Sequence, residues 1–302
     1  MKNNPVYKRE SMVRARSIRM PFVIFAFNAI LALASILNMY QTVEQVRITS
    51  TIQYSNFLHL YSFVAILEFL LLMGIMPALT SGSISGERER KTLELLFTTK
   101  MTSKDIILGK LFSALEQMFV LMVSSLPIIL LTFVYGSVDM MDFGLLFLCY
   151  GITAIYIGAI GIFFSVLFRR STFANVCTYG VLLLIAAGSY LLNGFLLQMS
   201  ELHVSSMALM PGEIRPAADS SAAVYLLLLN PVSTFIEIMG NQVSGSVDGF
   251  SASAFLGNQM GGLIVTYWVP VSLLLQTIIS VTLIGVSICF LNPVKQRRET
   301  VS

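Results

Sequence analysis

Residues 86–110, GERERKTLELLFTTKMTSKDIILGK, hold Glu87, Arg88, Glu89, Arg90, Lys91, Glu94, Lys100, Lys104, Asp105 and Lys110, ten charged residues in twenty-five, between two long apolar stretches. The chemistry such an insert offers is recognition, by charge and by shape, of another macromolecule. Thr92-Leu93-Glu94-Leu95-Leu96-Phe97 fits a short amphipathic helix with Leu93, Leu96 and Phe97 on one face. Thr98-Thr99-Lys100-Met101 interrupts it, and Thr102 or Ser103 then suits the N-cap of a following helix with Asp105 in its first turn. A helix, a break and a second helix make a lever, because force on the short helix reaches both attached apolar segments. The alternative is an ordinary solvated loop, but such a loop does not need Leu93, Leu95, Leu96 and Phe97 among its charges.

Other residues with chemical potential are few. Glu68 stands about ten residues into an apolar run, where a carboxylate is costly and faces protein or water by default. It is a candidate for lining a transport path or meeting a partner helix, with a local structural role as the alternative. Glu116 and Gln117 lie nearer the start of their run and suit helix packing. Met199, His203 and Met207 recur every four residues, with Met210 nearby; thioether and imidazole suit Cu(I). A chain with 16 methionines produces that spacing readily as an apolar stripe, so no metal site is assigned.

Catalytic constellations are missing from the sequence. There is no HExxH, no His-rich tract and no paired Asp, and the only histidines are His59 and His203. There is also no GxxxxGK[ST] phosphate loop: Gly86 is followed by Glu87, and Gly109-Lys110 lacks the preceding glycine spacing. The chain is thus not expected to bind or hydrolyse ATP, no catalytic residue is assigned, and no cofactor is expected on it. Cys149, Cys177 and Cys289 all fall in apolar runs and read as small core residues.

The elements that carry these residues follow from composition. Of 302 residues 56% are hydrophobic and 12% charged, against about 25% charged in soluble domains. Six runs, near 20–39, 58–80, 106–134, 143–168, 173–197 and 269–291, reach the roughly 20 residues a helix needs to cross a hydrocarbon core. Continuous runs favour helices over a barrel of short alternating strands. The first run follows a basic leader but lacks a small-x-small cleavage site, so it reads as an uncleaved helix.

Basic residues orient the chain. Lys2, Lys8, Arg9, Arg14, Arg16 and Arg19 precede the first run, six more lie in the insert, Arg169 and Arg170 follow the fourth, and Lys295, Arg297 and Arg298 follow the sixth. Only Arg47 and Arg215 of the 19 fall in the other loops. The positive-inside rule then predicts a multi-pass plasma-membrane protein with both termini and the insert in the cytoplasm. The net charge of +3 reflects topology and contact with anionic lipid, not nucleic-acid binding.

The expected organisation is a basic segment 1–19, lying along the inner surface or forming a disordered tail, followed by a six-helix domain over 20–302. Within that domain the insert occupies 82–105 and an extracytoplasmic segment occupies 198–268. Residues 222–239 include Asn230-Pro231, a turn signal, and read as short helices on or dipping into the outer leaflet, with an extra helical hairpin as the alternative. No internal repeat is evident, unlike many secondary transporters.

The insert resembles the ABC-2 type transporter permeases, which share a pattern close to E-R-E-x-x-T-L-E-L-L-…-G-K after the second membrane helix. Here that pattern is Glu87-Arg88-Glu89, Thr92-Leu93-Glu94-Leu95-Leu96 and Gly109-Lys110. The layout also matches, with a basic leader, six helices, and Leu229-Asn230-Pro231 in a large segment before the last helix. The resemblance implies an all-α, type V exporter-like fold with an elbow helix at the N-terminus and a coupling helix between helices two and three. It implies pairing with a second permease, identical or not, and a separate ATPase holding ATP and Mg. Residues 87–104 would meet that ATPase, through Glu87, Arg88, Glu89, Arg90, Thr92, Leu93, Glu94, Leu96 and Phe97. An ion-coupled carrier and a non-transporting sensor or assembly subunit are the rival readings. A carrier would want several buried ionisable groups, and Glu68 stands without a basic partner at its depth. The resemblance is neutral as to cargo.

Overall fold

A computed structural model describes residues 5–15, 17–49, 55–93, 101–136, 140–206, 221–244 and 267–291, and among them every regular element is helical. The elements are α1 (Pro5–Ala15), α2 (Arg19–Thr49), α3 (Ser55–Thr80), the short α4 (Ser85–Glu89), α5 (Ser103–Gly136), α6 (Met140–Leu167) and α7 (Ser171–Leu183). A π-helical turn, Leu184–Gly188, joins α7 to α8 (Ser189–Ser206); a 3₁₀ segment Ser221–Leu229, α9 (Pro231–Ser244) and α10 (Trp268–Phe290) follow. The chain is an all-α polytopic membrane protein, with six helices or helix runs long and apolar enough to cross a bilayer. The fifth is longer than expected: α7, the π turn and α8 run together from Ser171 to Ser206.

Three of these helices, α3, α5 and α6, form the buried centre, whereas few residues of α2, α7–α8 and α10 are fully buried. The reason lies in small residues. On α6, a Cβ added to Gly158 would come within 2.6 Å of the Met76 Cε and 2.9 Å of the Leu111 Cδ1. One added to Gly161 would meet the Thr80 Cβ at 2.9 Å and the Ser81 backbone nitrogen at 3.3 Å. The missing side chains let the end of α3 press directly on α6, as small residues do between membrane helices. That contact fixes where the chain leaves α3 and begins α4.

At the opposite end of the bundle, the 3₁₀ segment and α9 meet at 87° around Asn230. Both segments are short helices, as the Asn-Pro turn signal led one to expect, and the bent pair fits a re-entrant element or a broken span alike. Asn230 is fully buried and holds the corner three ways. Its Nδ2 donates to the Ala186 carbonyl at 3.0 Å and to the Ser189 hydroxyl at 2.9 Å, and its Oδ1 accepts the Val232 N–H at 2.9 Å. The π turn supplies the Ala186 carbonyl, since the wider i→i+5 winding disrupts the regular backbone ladder there. Below the corner, the Gln276 amide of α10 donates to Thr234 and Ser272, each at 3.0 Å. Phe235 of α9 stacks on Phe69 of α3 with ring centroids 4.3 Å apart.

Candidate functional site

The charged insert begins where α3 ends. Four residues turn the chain, and α4 then lies across the end of the bundle. Its N-cap residue, Ile84, has no side-chain acceptor. Ser165 of α6 supplies one from outside, its hydroxyl accepting the Ile84 and Ser85 N–H groups at 2.8 and 3.0 Å. These are donors that a helix start otherwise leaves open. Nearby, the Ser81 hydroxyl meets Asn175 of α7.

The next three side chains each reach a different membrane helix. Glu87 Oε1 lies 2.5 Å from the Nζ of Lys110 on α5. Arg88 Nη1 donates to the Val166 carbonyl at the end of α6, at 2.7 Å, where a cation suits the negative end of the helix dipole. Glu89 accepts the Ser171 N–H at 2.9 Å and the Ser171 hydroxyl at 2.8 Å. Helix α7 starts after Arg170, which makes no side-chain cap of its own, so Glu89 caps it from outside. These bonds from Ser171, first the hydroxyl and then the N–H, hold the Glu89 carboxyl below its ordinary range.

Lys110 is 6% exposed and also lies 2.5 Å from Glu10 Oε1 of α1. A second contact, Ser11 Oγ to Glu116 Oε1 at 3.3 Å, lays α1 along α5. One ammonium thus joins α1, α4 and α5. Pairing with two carboxylates offsets the desolvation that a nearly buried lysine would otherwise suffer.

Helix α4 ends in a Schellman turn. The Lys91 N–H bonds the Arg88 carbonyl and the Thr92 N–H bonds the Glu87 carbonyl, each at 3.0 Å. The left-handed residue of this turn is usually glycine, but here it is Lys91, with φ 56°. Arg90, Lys91 and Thr92 are exposed, whereas Leu93 turns back into the chain's own apolar core. Glu94, Leu96 and Phe97 lie outside the described residues. The insert enters α5 through a reciprocal cap: Thr102 N–H and Oγ1 both donate to Asp105 Oδ2, and the Asp105 N–H returns a bond to Thr102 Oγ1. Thr102, rather than Ser103, is therefore the N-cap; Ser103 instead bonds the Leu291 carbonyl at the end of α10.

Glu68 is 1% exposed, and Ser125 of α5 donates to its Oε1 at 2.5 Å. Its Oε2 has no hydrogen-bond partner among the described residues. A groove of about 580 Å³ opens elsewhere, between α2 and α3, lined by Leu33, Leu37, Asn38, Gln41 and Phe63 among others. Glu68 is not part of its lining. On α8, Met199 and His203 are exposed, and Met207 and Met210 fall outside the described residues.

Sequence reasoning named the charged triplet but missed its partners Lys110, Val166 and Ser171, and with them Glu10 on Lys110 and Ser165 at the start of α4. Only Lys110 carried a visible signal, as the lysine of the Gly109-Lys110 pair, flanked by the apolar residues Ile106–Leu108 and Leu111-Phe112.

The fold and this site define a polytopic helical membrane protein with a charged cross-helix clamped to three of its own membrane helices. The sequence matches the family described as ABC-2 family transporter protein over residues 10–288, nearly the whole chain, and the protein belongs to that family. It is a permease component of an ABC transporter, the membrane part rather than the ATP-binding subunit. Permeases of this family normally work with an ABC ATPase. No curated protein matches the chain.

Proposed function

We propose that this permease is the membrane half of an ATP-driven exporter, coupled to a separate ATPase through residues 87–104. The observation that carries the reading is the triplet Glu87-Arg88-Glu89, whose side chains tie α4 to α5, α6 and α7 in turn. A load placed on α4 is thereby delivered to three spans at once, which is what a coupling helix must do. The distribution of Lys and Arg supports a cytoplasmic position for this end and for both termini, in a plasma membrane. ATP and Mg belong to the ATPase subunit.

Two permeases, identical or not, would enclose the pathway. The outward apolar faces of α2 and α7–α8, including Phe25, Leu33, Leu184 and Leu191, support a second subunit or lipid there. Glu68 remains the candidate for a polar group of the pathway or its lining helices. The direction of transport rests on resemblance to exporters.

Affinity purification of the tagged chain in mild detergent tests the coupling. An ATP-binding subunit is expected to co-purify, and Leu96→Asp combined with Phe97→Asp is expected to release it. Recovery of the permease without any ATP-binding subunit, or full activity in the double variant, would overturn the reading.

A further inference from the structure

We infer that Lys110 is a positioning residue that locks α1, α4 and α5 into one moving body, and that Glu87-Arg88-Glu89 serves this internal clamp while Arg90 and Lys91 face the ATPase. The inference rests on the coupling reading above and divides its residues by direction. Glu87 and Glu10 both reach the same buried ammonium, at 2.5 Å each. Arg88 and Glu89 reach helix ends, where their charges complement the carbonyls of α6 and the N–H groups of α7. A side chain spent on an intramolecular bond at a helix terminus is not free to recognise a partner.

Immediately beyond the triplet the chain reverses, and the Schellman turn swings Arg90 and Lys91 into solvent. A lysine at the left-handed position is conformationally unfavourable where glycine would fit without strain. Retaining a cation there is consistent with use of its charge, next to that of Arg90, against an acidic surface. Strain at a special backbone position is a recurring mark of such use. The clamp and the contact are then adjacent but separate: Arg90 and Lys91 receive the partner, and the three charges already bonded to neighbouring helices pass its motion to α1 and the spans.

The lock can be tested on the full-length protein in detergent, with and without its co-purifying ATPase. Lys8 and Arg9 are exposed trypsin sites on α1, so cleavage there reports whether α1 is held. Lys110→Met, Glu87→Gln and the milder Glu10→Gln are expected to speed this cleavage about tenfold through local opening of α1, and Lys110→Arg to restore protection. All four are expected to keep the ATPase subunit, whereas Arg90→Glu with Lys91→Glu is expected to lose it with α1 still protected. Unchanged protection in Lys110→Met, Glu87→Gln and Glu10→Gln would overturn the lock. Loss of the ATPase in Glu87→Gln or Arg88→Gln with α1 protected, or its retention in the Arg90/Lys91 reversal, would overturn the division of roles. If the wild-type chain brings down no ATPase, the coupling reading falls, and the cleavage series still decides the lock.

Discussion

Glu89 caps a helix it does not belong to: its carboxylate accepts both the N–H and the hydroxyl of Ser171, 82 residues away, at 2.9 and 2.8 Å. Because the folded-state carboxyl titrates below the ordinary 4.5, the sign of its pH dependence is set. The stabilisation is present above the unfolded value and is lost as pH falls through the lower folded value. Thermal melts in detergent should show an acid-side loss in wild type that shrinks in Glu89→Gln. At neutral pH the order of melting temperatures should be wild type, then Glu89→Gln, then Glu89→Ala, since Gln keeps an acceptor and Ala keeps none. Coincident acid limbs in wild type and Glu89→Gln would remove the cap from the account.

The turn that ends α4 makes a second prediction. With φ 56° at Lys91, substitution by glycine relieves the left-handed strain, and valine increases it because its branched Cβ fits that region poorly. Lys91→Gly should stabilise the protein by roughly 1 kcal/mol and Lys91→Val should destabilise it by at least that amount. Denaturant unfolding of the purified permease reads both. If Lys91 also meets the ATPase, Lys91→Gly should be more stable and yet weaker in retaining that subunit, a combination that backbone strain alone does not produce.

On α6, two glycines separate packing from mere helix propensity. Gly161→Val would drive its Cβ against Thr80 and the Ser81 backbone, and overpacking of this kind costs about 1–3 kcal/mol. Gly151 on the same helix has open space at its Cβ position, so Gly151→Ala should be neutral or slightly stabilising. Equal effects from the two in an unfolding assay would mean that α3 and α6 are not in the close contact described. Because this contact sets the start of α4, Gly161→Val should also release the bonds from Ile84 and Ser85 to Ser165.

How much of this was readable from sequence depends on whether the controlling physics is local. The spans were readable because an apolar run of sufficient length has few alternatives in a bilayer, and the cap was narrowed to Thr102 or Ser103 because Asp105 lies in the first turn; the structure decides for Thr102. The corner at Asn230 was half readable: Asn-Pro signals a turn, but nothing in the sequence shows that the amide finds Ala186 in a π turn of another helix. The direction of Glu87, Arg88 and Glu89 was not readable at all. On a five-residue helix successive side chains point different ways, and whether they meet solvent or protein depends on residues 110, 166 and 171. The same holds for Leu93, which suits an outward apolar face by periodicity yet packs into its own core.

The buried corner at Asn230 yields the last prediction. Asn230→Ala removes two donated bonds and one accepted bond, leaving Ser189, the Ala186 carbonyl and the Val232 N–H to find other partners. Leaving buried polar groups unpaired costs about 1–3 kcal/mol each, less where neighbours relax. Asn230→Asp is the more discriminating change, because it keeps the acceptor for Val232 but turns an oxygen toward the Ala186 carbonyl, where only a donor fits. If the interaction with the π turn is what holds α9 in place, Asp should be nearly as damaging as Ala. If only the cap of α9 matters, Asp should behave like wild type, since aspartate is as good an N-cap as asparagine. Protease accessibility of α9 in reconstituted vesicles distinguishes the two, and the geometry requires the first outcome.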